Sequence, residues 1–165
     1  MDETAFDAFY IASFGRIVVQ VAGMIGNRDE ASDCVQEAFV RAWQHRGRLS
    51  SDLSPESWVR TTAYHLAVGR WRRRRMDVRA QDRSLPVPGT SRPSENRPAI
   101  EAALAKLPAD QRRAVVLYHF ADLSVGDIAL ETGVPAGTVK ARLSRARATL
   151  STLLNDRLPE ENRHV

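Results

Sequence analysis

The chain has 165 residues, of which 43% are hydrophobic, and its 24 Lys and Arg against 20 Asp and Glu give a net charge of +4. This length accommodates one average domain or two small ones, and a single cysteine, Cys34, excludes an internal disulfide and a cysteine-rich metal site. The N-terminus is acidic and unlike a secretory signal, and we identify no run long enough to span a bilayer. We therefore expect a cytoplasmic protein without membrane insertion.

The first part of the chain, residues 1–76, shows hydrophobic residues at helical spacing. The pattern predicts helices over 5–25, 29–46 and 57–75, with a polar turn before the third. No segment of the chain shows sustained alternation with a period of two, so we predict no sheet. The fold class is therefore all-α, with two small helical domains joined by a flexible linker.

The linker is predicted at residues 77–98, where four prolines and one glycine occur among few large hydrophobic side chains. Such a composition cannot bury enough surface to order itself. An ordered surface loop is the alternative, although loops of this length are uncommon inside compact domains. The boundaries that follow are a first domain at 1–76, the linker, a second domain at 99–155 and a tail at 156–165.

The second domain has the signals of a helix-turn-helix. A helix is predicted over 108–121, and a short helix then opens at Ser124, which has Asp127 three residues later as in a capping box. Gly133 marks the turn, and a last helix runs to about Leu154. A short helix, a tight turn and a longer basic helix form the arrangement that many DNA-binding domains use.

The last helix, GTVKARLSRARATL at 137–150, carries four cations and no acidic residue. Its hydrophobic residues recur at spacings of four, three and four and predict one buried stripe: Val139, Leu143, Ala146 and Leu150. Small residues on the opposite face would let the helix approach DNA closely, and the flanking cations could then reach phosphates or guanine. An ordinary solvated helix face is the alternative, but the unbalanced charge and the preceding short helix favour DNA binding.

The helix predicted at 57–75 has one hydrophobic side and one side that mixes aromatic residues with arginines. The second side comprises Arg60, Thr61, Tyr64, Val68, Trp71, Arg72 and Arg75. Exposed rings and cations in this mixture suit single-stranded nucleic acid, because bases stack on the rings while the cations follow the backbone. The alternative is that Tyr64 and Trp71 are core aromatics packed by the N-terminal helix, and the residues alone do not decide between the two.

The helix within 31–44 has a polar side that suits a basic protein partner better than nucleic acid. That side holds acidic and amide groups around one exposed valine: Asp33, Gln36, Glu37, Val40 and Gln44. A docking face is one interpretation of this pattern, and an ordinary solvated surface is the other.

Three segments together resemble the extracytoplasmic-function sigma factors of bacterial RNA polymerase. They are DCVQEAFVRAW, SWVRTTAYHLAVGRWRRRR and DIALETGVPAGTVKARLSRARATL, in this order and spacing. The resemblance covers nearly the whole chain. It implies an alternative sigma factor that binds core RNA polymerase and directs promoter recognition, promoter melting and transcription initiation.

The resemblance also implies roles for individual residues. Docking on the coiled coil of the largest polymerase subunit would involve Asp33, Gln36, Glu37 and Val40. Recognition of the −10 element and of the melted, single-stranded non-template strand would involve Arg60, Tyr64, Trp71 and Arg72. Reading of the duplex −35 element in the major groove would involve Thr138, Lys140, Arg142 and Arg145. An anti-sigma factor is a further candidate partner, since such proteins are common in the family.

Nothing in the sequence predicts an enzyme. The four histidines lack metal-ligand spacing, and we find neither a glycine-rich phosphate loop nor a pair of catalytic carboxylates. We therefore expect no catalytic residue, no metal site and no cofactor. A stand-alone transcription regulator is the main rival to a sigma factor, but it would usually need dimerisation and a sensing site in the first domain.

Overall fold

The computed structural model describes residues 1–49, 53–79 and 99–156, which form helices and no strand. The helices are, in chain order, α1 Glu3–Ile25, α2 Arg28–Gln44, α3 Pro55–Arg79, α4 Ala99–Ala105, α5 Ala109–His119, α6 Val125–Thr132 and α7 Ala136–Asn155. The predicted all-α class is confirmed. We call α1–α3 the N-terminal bundle and α4–α7 the C-terminal bundle.

The predicted boundaries differ from the observed ones at a few places. The third helix runs on to Arg79, three residues into the predicted linker, because its arginines favour helix and no proline interrupts them before that point. Helix α4 was not predicted, and the helix predicted at 108–121 is shorter at both ends. Residues 80–98 of the predicted linker lie outside the described residues, as do most of the tail and residues 50–52.

The N-terminal bundle buries one side of each of its helices in a common core. Fully buried members are Ile17, Val21, Cys34, Val35, Ala38, Val59 and Ala63. Helix α1 ends at Gly26, whose φ of 77° is favourable only for a residue without a side chain. The side chain of Asn27 then accepts a hydrogen bond from the backbone N of Glu30 at 3.0 Å and starts α2. This short connection turns α2 back against α1.

The C-terminal bundle contains the predicted helix-turn-helix in α6 and α7. The Ser124 hydroxyl accepts a hydrogen bond from the backbone N of Asp127 at 3.1 Å and donates one to its carboxylate at 2.8 Å, so the predicted capping pair is present. Helix α6 ends at Gly133, with φ 69°. Ile128 of α6 and Val139 of α7 are buried together in the core that fixes the angle between the two helices.

The two bundles pack against each other through α1 and α5. Met24 of α1 is buried in the core of the C-terminal bundle, and Arg112 of α5 donates a hydrogen bond to its backbone oxygen at 3.3 Å. A Cβ atom at Gly23 would lie 3.2 Å from Val116 Cγ2 and 3.6 Å from the ring of Phe120. The absence of a side chain at Gly23 therefore allows the two helices to approach closely.

Helix α1 corrects one statement made from the sequence. By length and composition it could cross a membrane, because an 18-residue window within it has a mean hydropathy of 1.6. In the structure, however, α1 packs against α2, α3 and α5 and supplies core residues to both bundles. These contacts account for part of its hydrophobicity, since 33% of that window is buried.

Candidate nucleic-acid and protein-binding surfaces

The four residues predicted to read duplex DNA are all carried by α7, and we call them the α7 face: Thr138, Lys140, Arg142 and Arg145. Lys140 and Arg142 lie on opposite flanks of the helix, at about 100° per residue. The predicted buried stripe is confirmed at Val139, Leu143 and Ala146, whereas Leu150 is half-buried. Lys140 and Arg145 are exposed, whereas Thr138 and Arg142 are half-buried. The helix therefore presents cations outward without a neutralising acid of its own.

Arg142 differs from the other cations of the α7 face because an acidic residue lies beside it. Its Nη2 is 3.7 Å from Asp110 Oδ2 at the start of α5, and its side chain is 24% exposed. A contact of that length with an exposed carboxylate contributes little stability. It orients the guanidinium along the side of α7 and leaves it within reach of a ligand.

The residues predicted to dock on a protein lie on the outer side of α2, and we call them the α2 face: Asp33, Gln36, Glu37 and Val40. Asp33 and Gln36 are exposed, and Val40 is 53% exposed although it is hydrophobic. This combination of an apolar contact with polar neighbours is typical of a protein-binding surface.

Glu37 is the member of the α2 face with partners inside the fold. Its carboxylate accepts hydrogen bonds from Arg70 of α3 at 2.6 Å and from Arg41 at 2.7 Å. The hydrogen bond from Arg70 lowers the pKa of Glu37 below its usual range. Glu37 therefore links α2 to α3 and also contributes negative charge to the α2 face.

The run RWRRRR, which the sequence suggested as one basic patch, is divided between two sides of α3. Arg70 pairs with Glu37, and Arg74 pairs with Glu30 at 2.7 Å, so two of the arginines fasten α3 to α2. We missed these contacts in the sequence. The spacing of four between the two arginines could have indicated that they share a side of the helix facing the acidic α2.

The residues predicted to hold the melted strand lie on α3, and we call them the α3 face: Arg60, Tyr64, Trp71 and Arg72. At its C-terminal end, Arg72 is exposed and Trp71 is half-buried. The guanidinium of Arg75 lies 5.2 Å from the centre of the Trp71 ring. This end of the α3 face is accessible and combines a ring with cations.

The other end of the α3 face is covered by the C-terminal bundle, which corrects the placement of Arg60 on an exposed surface. Arg60 is 2% exposed. It donates two hydrogen bonds to the carboxylate of Glu131 in α6, at 2.8 and 2.7 Å, one to Gln20 at 2.8 Å and one to Ser57 at 3.2 Å. A helical wheel of α3 cannot distinguish a side that meets solvent from a side that meets a second bundle.

Tyr64 is covered by the same bundle. The guanidinium of Arg113 in α5 lies 4.3 Å from the centre of the Tyr64 ring, and burial lowers the pKa of Arg113. Tyr64 is therefore half-buried, but its partner is an arginine of the C-terminal bundle and not the core of its own bundle. Among the residues described, no three His, Cys, Asp or Glu side chains are grouped so that they could hold a metal ion.

Known families and structures match both bundles. The model of Sigma-70 region 2 matches residues 11–76, and that of Sigma-70, region 4 matches residues 97–150. The ECF RNA polymerase sigma factor EcfG of Rhodopseudomonas palustris (strain TIE-1) is 35% identical over 133 residues, which are 78% of this chain and 74% of the relative. The RNA polymerase sigma-H factor of Pseudomonas aeruginosa PAO1 is 30% identical over 96% of this chain and 91% of the relative.

Among solved structures, the sigma factor RpoE in complex with the anti-sigma factor NepR from Bartonella quintana superposes with a TM-score of 0.77. It is 25% identical and covers 93% of this chain and 99% of that chain. The order of the two matched regions agrees with the order of the two bundles, and the likeness to each relative extends across both. The chain belongs to the extracytoplasmic-function family of RNA polymerase sigma factors.

Proposed function

We propose that the protein is an alternative sigma factor that binds core RNA polymerase in the cytoplasm and directs it to promoters through two DNA-binding surfaces. The observation that carries the proposal is the acid-free, cation-bearing α7 face on the second helix of a helix-turn-helix, in a chain that matches Sigma-70 regions 2 and 4. We divide its functions among residues 1–76, a linker at 77–98 and residues 99–155.

The α7 face would read the −35 element as duplex DNA. Its exposed cations, Lys140 and Arg145, are placed to contact phosphates or the acceptor-rich edge of guanine in the major groove. Thr138 lies near the start of the helix, where small side chains permit close approach. The turn at Gly133 sets how far the start of α7 can enter the groove.

The α3 face would hold the −10 element after the duplex has opened. Trp71 offers a ring for stacking, and Arg72 can follow the phosphate backbone. Capture of unpaired bases shifts the melting equilibrium without a catalytic residue, because each captured base offsets part of the unstacking cost of a few kcal/mol. Arg60 and Tyr64 can take part only when the C-terminal bundle has moved away from α3.

The α2 face would dock on the polymerase, with Val40 as its apolar contact. Docking places two weak DNA-binding surfaces on one large enzyme, so that each raises the effective concentration of the other at a promoter. An anti-sigma factor as a further partner is supported by the RpoE structure, in which that sigma factor is in complex with the anti-sigma factor NepR.

The proposal is tested by mixing the purified protein with bacterial core polymerase and following co-elution on a sizing column. The complex should then open promoter DNA that neither component opens alone. Lys140→Ala should weaken promoter binding while co-elution is retained, and Lys106→Ala is its matched control because it removes the same charge from an exposed site outside α7. Tight operator binding by a dimer that has no affinity for the polymerase would identify a stand-alone regulator instead.

A further inference from the structure

Among the described residues, the pair formed by Arg60 and Glu131 is the most deeply buried ionic contact between the two bundles. The side chains are 3% and 1% exposed, and both carboxylate oxygens of Glu131 accept a hydrogen bond from the guanidinium. Arg60 also donates hydrogen bonds to Gln20 and Ser57. In this arrangement Arg60 has its hydrogen bonds directed to protein oxygens and is closed off from any outside anion.

A carboxylate and a phosphate offer a guanidinium the same kind of ligand. Both present two oxygens that can accept parallel hydrogen bonds from one arginine fork. Glu131 therefore occupies, with two bonds at 2.7 and 2.8 Å, the position that a phosphate of a bound strand would take at Arg60.

Tyr64, four residues after Arg60 on α3, is also covered by a residue of the C-terminal bundle. The guanidinium of Arg113 covers the ring of Tyr64 at 4.3 Å, on a surface where a base could otherwise stack. The buried Nε of Arg113 makes no hydrogen bond among the described residues. A buried donor without a partner carries a desolvation cost, which offsets part of the stabilisation from the contact with the ring.

We propose that Glu131 is an internal substitute for nucleic acid. It closes the C-terminal bundle over Arg60 and Tyr64 in the isolated protein, and the phosphates of a single strand replace it when the bundles separate. That the competitor of Glu131 is single-stranded nucleic acid rests on the proposed function of the α3 face, whereas the closed packing of the two bundles does not. Glu131 lies in α6 of the helix-turn-helix, outside the helix proposed to read duplex DNA, and would be a determinant of single-strand binding.

The closed packing is tested by energy transfer between dyes on the two bundles. Cysteines introduced at the exposed positions Ala8 and Thr149 carry the dyes, and Cys34 stays unlabelled because it is fully buried. The variant is Glu131→Gln, and the matched control is Asp7→Asn, which removes the same charge from an exposed site. The substituted amide can still accept one hydrogen bond from Arg60, but the charge of the carboxylate is lost, so the contact weakens and the open fraction should rise by at least about tenfold.

Binding of DNA is measured on the same full-length proteins with a single-stranded oligodeoxynucleotide of about 12 nucleotides, within the usual range of single-strand site sizes. Apparent affinity is proportional to the fraction of protein that is open, so Glu131→Gln should bind at least about tenfold more tightly and Asp7→Asn should match the wild type. Adding the oligonucleotide to the wild-type protein should lower energy transfer.

Unchanged energy transfer and unchanged affinity in Glu131→Gln would overturn the proposal. Lower energy transfer with unchanged affinity would also overturn it, because Glu131 would then hold the bundles together without screening a nucleic-acid site. If the proposed function is wrong, the wild-type protein will not co-elute with core polymerase. That result is obtained independently of the energy-transfer and oligonucleotide measurements.

A second variant keeps the test decisive if Glu131→Gln fails to fold. Gly23→Leu adds a side chain where a Cβ atom would already lie 3.2 Å from Val116, so it should separate the bundles without any change in α6. Gly15→Leu on the same helix is the control, since a Cβ atom there meets nothing within 4 Å. Lower energy transfer and tighter oligonucleotide binding in Gly23→Leu alone would support the proposal, and lower energy transfer with wild-type oligonucleotide binding would refute it.

Discussion

Replacing Val40 by Ser should weaken binding to core polymerase and leave the fold intact. Val40 is 53% exposed, so the α2 face keeps about half of a valine surface in contact with water. Full burial of a valine side chain is worth about 1.5–3 kcal/mol, and covering the exposed half would contribute about 0.8–1.6 kcal/mol. That loss corresponds to a roughly 4- to 15-fold higher dissociation constant. Anisotropy titration of the labelled protein with core polymerase measures it.

Val19 supplies the control for this substitution. It lies on α1, is 51% exposed and has the same side chain, so Val19→Ser repeats the chemical change at equal exposure outside the α2 face. Both variants should lose stability in urea by a similar small amount, because the two valines are buried to nearly the same extent. Equal weakening by the two substitutions, or no weakening by Val40→Ser, would show that the α2 face does not dock through Val40.

Two further predictions concern stability. Ser124→Ala removes the hydroxyl that accepts a hydrogen bond from the backbone N of Asp127 and caps the start of α6. In urea titration it should lower the free energy of unfolding by about 1 kcal/mol. Ser144→Ala, at an exposed position outside any cap, should leave that free energy unchanged. The hydrogen bond from Arg16 holds the pKa of Glu56 below its usual value of 4.5, so this pair stabilises the fold above pH 4.5 and loses that effect as the pH falls through the folded pKa. Glu56→Gln should therefore flatten the acid dependence of stability, and an unchanged slope would contradict the assignment.

Local features of the fold were predictable because they depend on neighbours in sequence. The stripe of Val139, Leu143 and Ala146 is buried as predicted, since residues three and four apart share one side of any α-helix. The start of α6 at Ser124 was predictable for a similar reason, because a cap and its partner are only three residues apart. The three candidate faces therefore lie on the helices that the sequence assigned to them.

Contacts between distant parts of the chain were not predictable in this way. The sequence left open whether Tyr64 is exposed for stacking or packed by the N-terminal helix. In the structure it is packed, but by Arg113 of the C-terminal bundle. Periodicity shows that a residue belongs to one side of a helix and gives no information about what that side meets. Arg60 and Glu131 are 71 residues apart, and their pairing depends on how the bundles dock.

The distribution of acidic residues within the helix-turn-helix helps to explain why Arg60 pairs with Glu131. Helix α7 has no acidic residue, which agrees with its proposed approach to phosphates. The preceding helix does carry an acid at Glu131, and its side chain is directed away from solvent, into Arg60. A surface built to bind an anion is also the surface that a carboxylate can cover. In the proposed mechanism Arg60 binds either Glu131 or a phosphate of the strand, and not both. A stronger contact with Glu131 keeps more of the protein closed. The apparent affinity for a strand then falls in proportion to the fraction of protein that is open.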